Sequence, residues 1–145
     1  KFMKVLIING PNLNMLGQRE EDLYGQLTLE EINALIIKKA ESIRVEVEFF
    51  QSNEEGRIVS TIQESAKVFD YIIINPAAFT HTSIAIRDAL LSVKSKFIEV
   101  HLSNIFSRED FRQNSFVSSI ALGVISGFGH EGYLMALDAL NNIEK

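Results

Sequence analysis

Apolar residues along this chain switch repeatedly between two periods. Lys4-Val5-Leu6-Ile7-Ile8-Asn9 is a nearly unbroken apolar run, as expected for a strand buried on both faces. Val45-Glu46-Val47-Glu48-Phe49-Phe50, Asp70-Tyr71-Ile72-Ile73-Ile74-Asn75 and Lys96-Phe97-Ile98-Glu99-Val100-His101 read as three more strands, and Gly123-Val124-Ile125-Ser126 as a short fifth. Between them the period lengthens to that of a helix. Thr28-Leu29-Glu30-Glu31 has the capping-box form, and behind it Leu29, Ile32, Ile36, Ala40 and Ile43 fall on one helical face. Ser52-Asn53-Glu54-Glu55 is expected to cap a second helix that turns Ile58, Ile62, Ala66 and Phe69 inward. Residues 83–92 read as a third helix facing Ile86, Leu90 and Val93 inward, and 132–142 as the last. Pro76 closes the third strand. Residues 103–119 carry no period and are expected to be irregular, with one short helical turn near 108–111.

Strands that alternate with helices imply a parallel sheet covered on both faces, because each parallel return needs a crossover. With right-handed crossovers, five strands predict a flavodoxin-like three-layer α/β sandwich of strand order 2-1-3-4-5. No linker, repeat or low-complexity tract interrupts the pattern, so residues 1–145 are expected to form a single catalytic domain.

Composition narrows the class. Hydrophobic residues make up 46% and charged residues 23%, as in a water-soluble globular chain. There is no cysteine, which removes disulfides and thiolate chemistry and fits a reducing compartment. No apolar run reaches the roughly 20 residues that span a bilayer, and no leader pattern opens the chain, so a cytoplasmic protein with no membrane partner is expected. Met3 is expected to be the natural start. A net charge of −5 argues against a nucleic-acid partner. An anionic substrate would have to be captured at short range by arginines or backbone N–H groups.

Polar residues gather where such a sheet binds ligands, beyond the carboxyl ends of its strands. The first strand runs into Asn9 and Asn12, the third ends at Asn75 with His81 shortly after, and the fourth ends at His101 and Ser103. Residues two apart on a strand share a face, so Glu99 can sit beside His101 and orient its imidazole. The stretch from Asn9 to Gly25 is far longer than a plain strand-to-helix connection. It carries Arg19 and Tyr24 between Gly17 and Gly25, glycines placed as hinges of a lid. Tyrosine, with an ordinary pKa of about 10, serves as a base only where something favours the phenolate, and a guanidinium does so. By themselves the two residues also fit a surface arginine and a tyrosine that packs the loop onto the body.

Two other patterns are set aside. Gly127-Phe128-Gly129-His130-Glu131-Gly132 has the spacing of a dinucleotide fingerprint, but too little chain follows for the second strand and its acidic residue. These glycines are read as a tight turn and a close helix contact. His81, His101 and His130 lack the short spacings of a zinc site, so no metal is expected. A flavodoxin-like flavin- or nucleotide-binding module is the alternative from another class. Against it, the first loop lacks a Ser/Thr-rich phosphate cradle. A phosphoacceptor domain would need an acidic cluster where the first strand ends at Asn9.

In order along the chain stand Gly10-Pro11-Asn12-Leu13-Asn14 with Gly17, Arg19, Tyr24 and Gly25; Phe50-Gln51-Ser52-Asn53 with Glu55-Gly56; Ile74-Asn75-Pro76 with Thr80-His81-Thr82-Ser83 and Ile86-Arg87-Asp88; Glu99-Val100-His101-Leu102-Ser103-Asn104; Arg108-Glu109 with Phe111-Arg112; and Gly127, Gly129, Gly132 and Tyr133. Together these blocks resemble the type II 3-dehydroquinate dehydratases of the shikimate pathway, over nearly the whole chain. The resemblance implies an anti elimination of water from 3-dehydroquinate through an enolate, with no metal, organic cofactor or Schiff base. It implies Tyr24 as base beside Arg19, His101 as acid oriented by Glu99, and Asn12 as enolate stabiliser. It further implies that Asn75, His81 and Arg112 bind substrate hydroxyls, and that Leu102 and Ser103 bind the carboxylate. Asp88 would reach a neighbouring subunit's site in a dodecamer built as a tetramer of trimers. The chain departs from the family pattern at Ala77-Ala78-Phe79, where a glycine often opens the turn, and at Glu54 and Phe106.

Overall fold

The computed structural model describes residues 2–18 and 21–145. Five parallel strands, β1 (Met3–Asn9), β2 (Val45–Gln51), β3 (Tyr71–Asn75), β4 (Phe97–His101) and β5 (Gly123–Ser126), form one sheet in the order β2-β1-β3-β4-β5. The helices are α1 (Glu21–Tyr24), α2 (Leu29–Ser42), α3 (Glu55–Ser65), α4 (Ile84–Ser92) and α5 (Glu131–Ile143). The expected architecture and strand order are those observed.

The period-2 rule divides the core cleanly. Val5, Ile7, Tyr71, Ile73, Ile98 and Val100 face one side and pack on α2 and α5 through Ile32, Ile36, Ala136 and Leu137. Leu6, Ile8, Ile72, Ile74 and Phe97 face the other and pack on α3 and α4 through Ile58, Ile62, Ile86 and Leu90. The α2 capping box forms as read: the Thr28 hydroxyl accepts from the Glu31 N–H, and the Glu31 carboxylate accepts from the Thr28 N–H.

Three local expectations are corrected. Ser52 does not cap α3 directly; its Oγ accepts from the Glu54 N–H at 2.9 Å and holds the turn one step before the helix. Ala66 is exposed rather than inward, because α3 ends at Ser65, which is itself buried with its hydroxyl donating to the Ile62 carbonyl. The irregular segment contains three short 3-10 turns, Ile105–Ser107, Asp110–Arg112 and Ser118–Ile120, where one was expected. Two of them are supported by side chains that take backbone N–H groups: Asn104 Oδ1 accepts from Phe106, and Ser115 Oγ accepts from Val117 and Ser118.

The glycine-rich turn before α5 serves close packing. Gly127 and Gly129 have positive φ, and their N–H groups donate to the His101 and Leu102 carbonyls. A Cβ at Gly132 would lie 3.1 Å from Val100 Cγ1. At the mouth of the sheet, a Cβ at Gly10 would lie 2.4 Å from the Pro76 carbonyl oxygen, so only glycine lets the ends of β1 and β3 approach this closely.

Candidate active site

The carboxyl ends of β1, β3 and β4 open into a pocket of about 100 Å³. Asn12, Tyr24, Asn75, His81, His101, Leu102, Ser103 and Arg112 all line it, so eight of the expected site residues converge there. Arg108 and Ala77 line it as well. A wider space of about 420 Å³ adjoins it and shares Tyr24, Leu102, Ser103 and Arg108 as walls.

The strongest polar element is the pair on β4. His101 and Glu99 point to the same side, and His101 Nε2 lies 2.5 Å from Glu99 Oε2. Glu99 is fully buried. Its other contacts come from hydroxyls: Ser118 donates to Oε1, Ser115 donates at 3.2 Å, and Thr80 at 3.4 Å. Burial pushes the carboxyl up, but the His101 contact and the Ser118 and Ser115 hydroxyls outweigh it, and Glu99 is held below the usual carboxylate range. An ionised Glu99 accepts the Nε2–H of His101 and leaves Nδ1 as the ring nitrogen available to a ligand.

His81 sits across from this pair, its ring stacked on His101 with centroids 6.4 Å apart. A carbonyl only accepts, so the 2.7 Å contact to Asn114 O makes His81 Nδ1 the protonated nitrogen and Nε2 an acceptor. Burial pushes the imidazole below the usual histidine range, with the His101 and Arg112 charges acting the same way against the Asn114 carbonyl. His81 is therefore neutral at neutral pH.

The floor comes from the first loop. Asn12 takes the left-handed conformation at φ 69°, and its N–H donates to Asn53 Oδ1 at 3.0 Å. Gln51 Nε2 donates to the Gly10 carbonyl at 3.1 Å and to Asn53 Oδ1 at 3.2 Å. The end of β2 thus holds the loop that presents Asn12. Leu102 and Ser103 are fixed from behind: the Gly129 N–H donates to the Leu102 carbonyl at 2.9 Å, and Ser126 Oγ donates to the Ser103 carbonyl at 3.0 Å. Arg112 Nε donates to Glu109 Oε1 at 2.9 Å at the pocket rim.

Of the three other expected residues, Glu99 is buried beside His101 and does not itself line the pocket. Arg19 lies outside the described residues. Asp88 is exposed on α4 and does not line the pocket of its own chain. Arg108 was not singled out for a role, yet its guanidinium stands 5.4 Å from the Tyr24 ring centroid and donates to Ser103 Oγ at 3.3 Å. The supporting hydroxyls of Thr80, Ser115 and Ser118 were also missed. Among the described residues, no three or more His, Asp or Glu side chains cluster as metal ligands do. Nor is any described helix long and apolar enough to cross a membrane.

Chemically, the pocket pairs a histidine on a buried carboxylate with a tyrosine beside a guanidinium, and surrounds them with amide and imidazole groups suited to hydroxyls. Known proteins resemble this chain over nearly its full length. The family model for class II dehydroquinase matches residues 3–141. A 3-dehydroquinate dehydratase of Geotalea daltonii is 54% identical over 144 residues, covering 99% of this chain and 100% of that one. One from Francisella philomiragia is 57% identical over 142 residues, 97% of each chain. The crystal structure of the type II dehydroquinase from Butyrivibrio crossotus superposes with a TM-score of 0.94 at 50% identity, covering 97% of this chain and 98% of that one. That from Propionibacterium acnes gives 0.92 at 40% identity, covering 98% and 99%. With a family match across almost its full length, the chain belongs to the class II dehydroquinases.

Proposed function

We propose that this protein is a hydro-lyase that removes water from 3-dehydroquinate by anti elimination, giving 3-dehydroshikimate in the shikimate pathway. Family membership supports the reaction. The observation that carries the residue assignment is the His101–Glu99 pair facing Tyr24 across one pocket.

In this reading Tyr24, as phenolate, takes a proton from the carbon alpha to the ketone, and the electron pair moves onto the ketone oxygen as an enolate. Arg19 is assigned to hold the phenolate, and Arg108 stands 5.4 Å from the Tyr24 ring centroid. Asn12 donates to the enolate oxygen. Electrons then return, the carbon–oxygen bond to the leaving hydroxyl breaks, and His101 protonates that oxygen from Nδ1. Glu99 stabilises the imidazolium before transfer and fixes the ring. General acid and base each contribute typically 10²–10⁴-fold to such a reaction. Asn75, His81 and Arg112 hold substrate hydroxyls, and the N–H groups of Leu102 and Ser103 with the Ser103 hydroxyl hold the carboxylate. Closure of the segment between Gly17 and Gly25, both at positive φ, excludes water over the bound substrate.

Asp88 completes the site from a neighbouring copy within a dodecamer, a tetramer of trimers. Its placement on an exposed flank of α4, beside exposed Ile84 and Leu91, supports that role. The chain acts as a single catalytic domain in the cytoplasm. The flavin-binding alternative is not favoured, since the family match points to the dehydratase reaction. Incubation with 3-dehydroquinate, followed by ultraviolet absorbance of the conjugated enone carboxylate, tests the assignment. Folded, oligomeric protein that produces no absorbance change overturns it.

A further inference from the structure

Tyr133 lies on α5, fully buried. Its hydroxyl oxygen is 2.5 Å from Asn9 Oδ1 and 3.1 Å from Asn75 Nδ2. Asn9 and Asn75 are register partners at the last positions of β1 and β3. A single side chain from the last helix thus bridges the two strand ends that bound the pocket.

The proton directions in this cluster follow from one fixed donor. The Ala77 N–H can only donate, and it lies 3.0 Å from Asn75 Oδ1, so that oxygen is the carbonyl end of the amide. Asn75 Nδ2 must then donate to Tyr133 Oη. Its lone pair engaged there, the Tyr133 hydroxyl donates its own proton to Asn9 Oδ1. Burial pushes the Tyr133 phenol far above the usual tyrosine range, so this proton stays in place. One Nδ2–H of Asn75 is left, on a residue that lines the pocket. His81 lines the same pocket, and its Nε2 is an acceptor because Nδ1–H is committed to Asn114. A hydroxyl is the group that can accept from an amide N–H and donate to an imidazole nitrogen at once.

We propose that Tyr133 is a positioning residue: it locks the Asn75 amide so that a donor is offered to the pocket that His81 lines with an acceptor, which makes this wall of the pocket selective for a hydroxyl. The selectivity rests on the reading of the pocket as the 3-dehydroquinate site; the locking of the amide does not. A polar site built to match an O–H group rejects analogues that lack it, because its buried groups are then left unpaired.

The test is Tyr133→Phe. With 3-dehydroquinate as substrate, KM is expected to rise by about 3- to 10-fold while kcat stays within about two-fold, the pattern of a lost ground-state contact. In an Asn75→Ala background the same substitution should leave KM unchanged. An unchanged KM in the single variant, or an equal rise in both backgrounds, overturns the proposal. If Tyr133→Phe does not fold, because the Asn9 acceptor is orphaned, the Asn9→Ala/Tyr133→Phe double variant removes that acceptor and takes its place. Independently of turnover, one Asn75 amide proton should be protected from hydrogen exchange in ligand-free protein and lose that protection in the variant. Identical exchange in both proteins overturns the proposal. If the wild type leaves 3-dehydroquinate unchanged, the functional reading fails, while amide exchange still decides the role of Tyr133.

Discussion

His101 Nε2 lies 2.5 Å from Glu99 Oε2, and the carboxylate it meets is fully buried. A buried anion survives only if its oxygens are occupied, and here the Ser115, Ser118 and Thr80 hydroxyls share that task with the imidazole. Removing the charge while keeping the shape, as Glu99→Gln does, should lower kcat by roughly 10- to 100-fold, the usual cost of losing the group that orients a functional histidine. Ser118→Ala removes one donor to the anion and should lower kcat by about ten-fold. Steady-state turnover of 3-dehydroquinate measures both. A Ser118→Ala enzyme with wild-type kcat would show that the hydroxyl has no part in holding the acid.

The Arg108 guanidinium stands 5.4 Å from the Tyr24 ring centroid. It also reaches Ser103 Oγ, so one guanidinium touches both the proposed base and the proposed carboxylate subsite. Lysine offers a point charge without the fork. Arg108→Lys should therefore keep part of the rate while raising KM, and Arg108→Ala should lower kcat and raise KM together. Tyr24→Phe should fold normally and lose about 10²–10⁴-fold in kcat, as expected for removal of a general base. Full rate profiles with melting curves separate these outcomes from unfolding.

The fold was legible because apolar runs and helical faces alternate without ambiguity, and a parallel sheet with that order is what such alternation permits. The His101–Glu99 pair was legible for a similar reason: the two residues are two apart on a strand, so their sharing a face follows from pleat geometry. What supports them was not. Ser115, Ser118 and Arg108 stand in a segment with no period, and their aim is set by Ser115 and Asn104 caps that become visible only in three dimensions. Tyr133 occupies an inward helical position and reads as a core aromatic; its partner Asn9 lies at the far end of the chain. Asp88 fits the same limit, since the role proposed for it needs a surface outside its own subunit.

Two groups give the protein a defined response to acid. For both, the folded pKa lies below the ordinary value, so the unfolded chain binds more protons as pH falls and stability drops with it. The His81 contribution is present above its ordinary pKa of 6.5 and is lost as pH falls below it. The Glu99 contribution is present above the ordinary 4.5 and is lost as pH falls through its depressed folded value. Thermal melts between pH 8 and pH 3 should show one decline beginning near 6.5 and a further one below 4.5. Glu99→Gln should flatten the second stage. A melting temperature that rises on acidification would contradict both assignments.

Ala77 holds a conformation that costs it. Its φ is 53°, in the left-handed region, where the Cβ of an L-residue crowds the following carbonyl at roughly 1–2 kcal/mol. This is the turn at which the family pattern often has glycine. Glycine removes the clash but adds roughly 0.5–1 kcal/mol of chain entropy to be lost on folding. The balance for Ala77→Gly is a net stabilisation of about 0.5 kcal/mol, on the order of 1–2 °C in Tm for a chain of this size. The substitution keeps the backbone N–H that fixes Asn75 Oδ1, so KM for 3-dehydroquinate should stay within about two-fold. Ala77→Val is the opposing control: a β-branched side chain cannot relax at this φ, and Tm should fall. A lower Tm for the glycine variant than for the parent protein would mean that the turn is held by contacts strong enough to hide the strain.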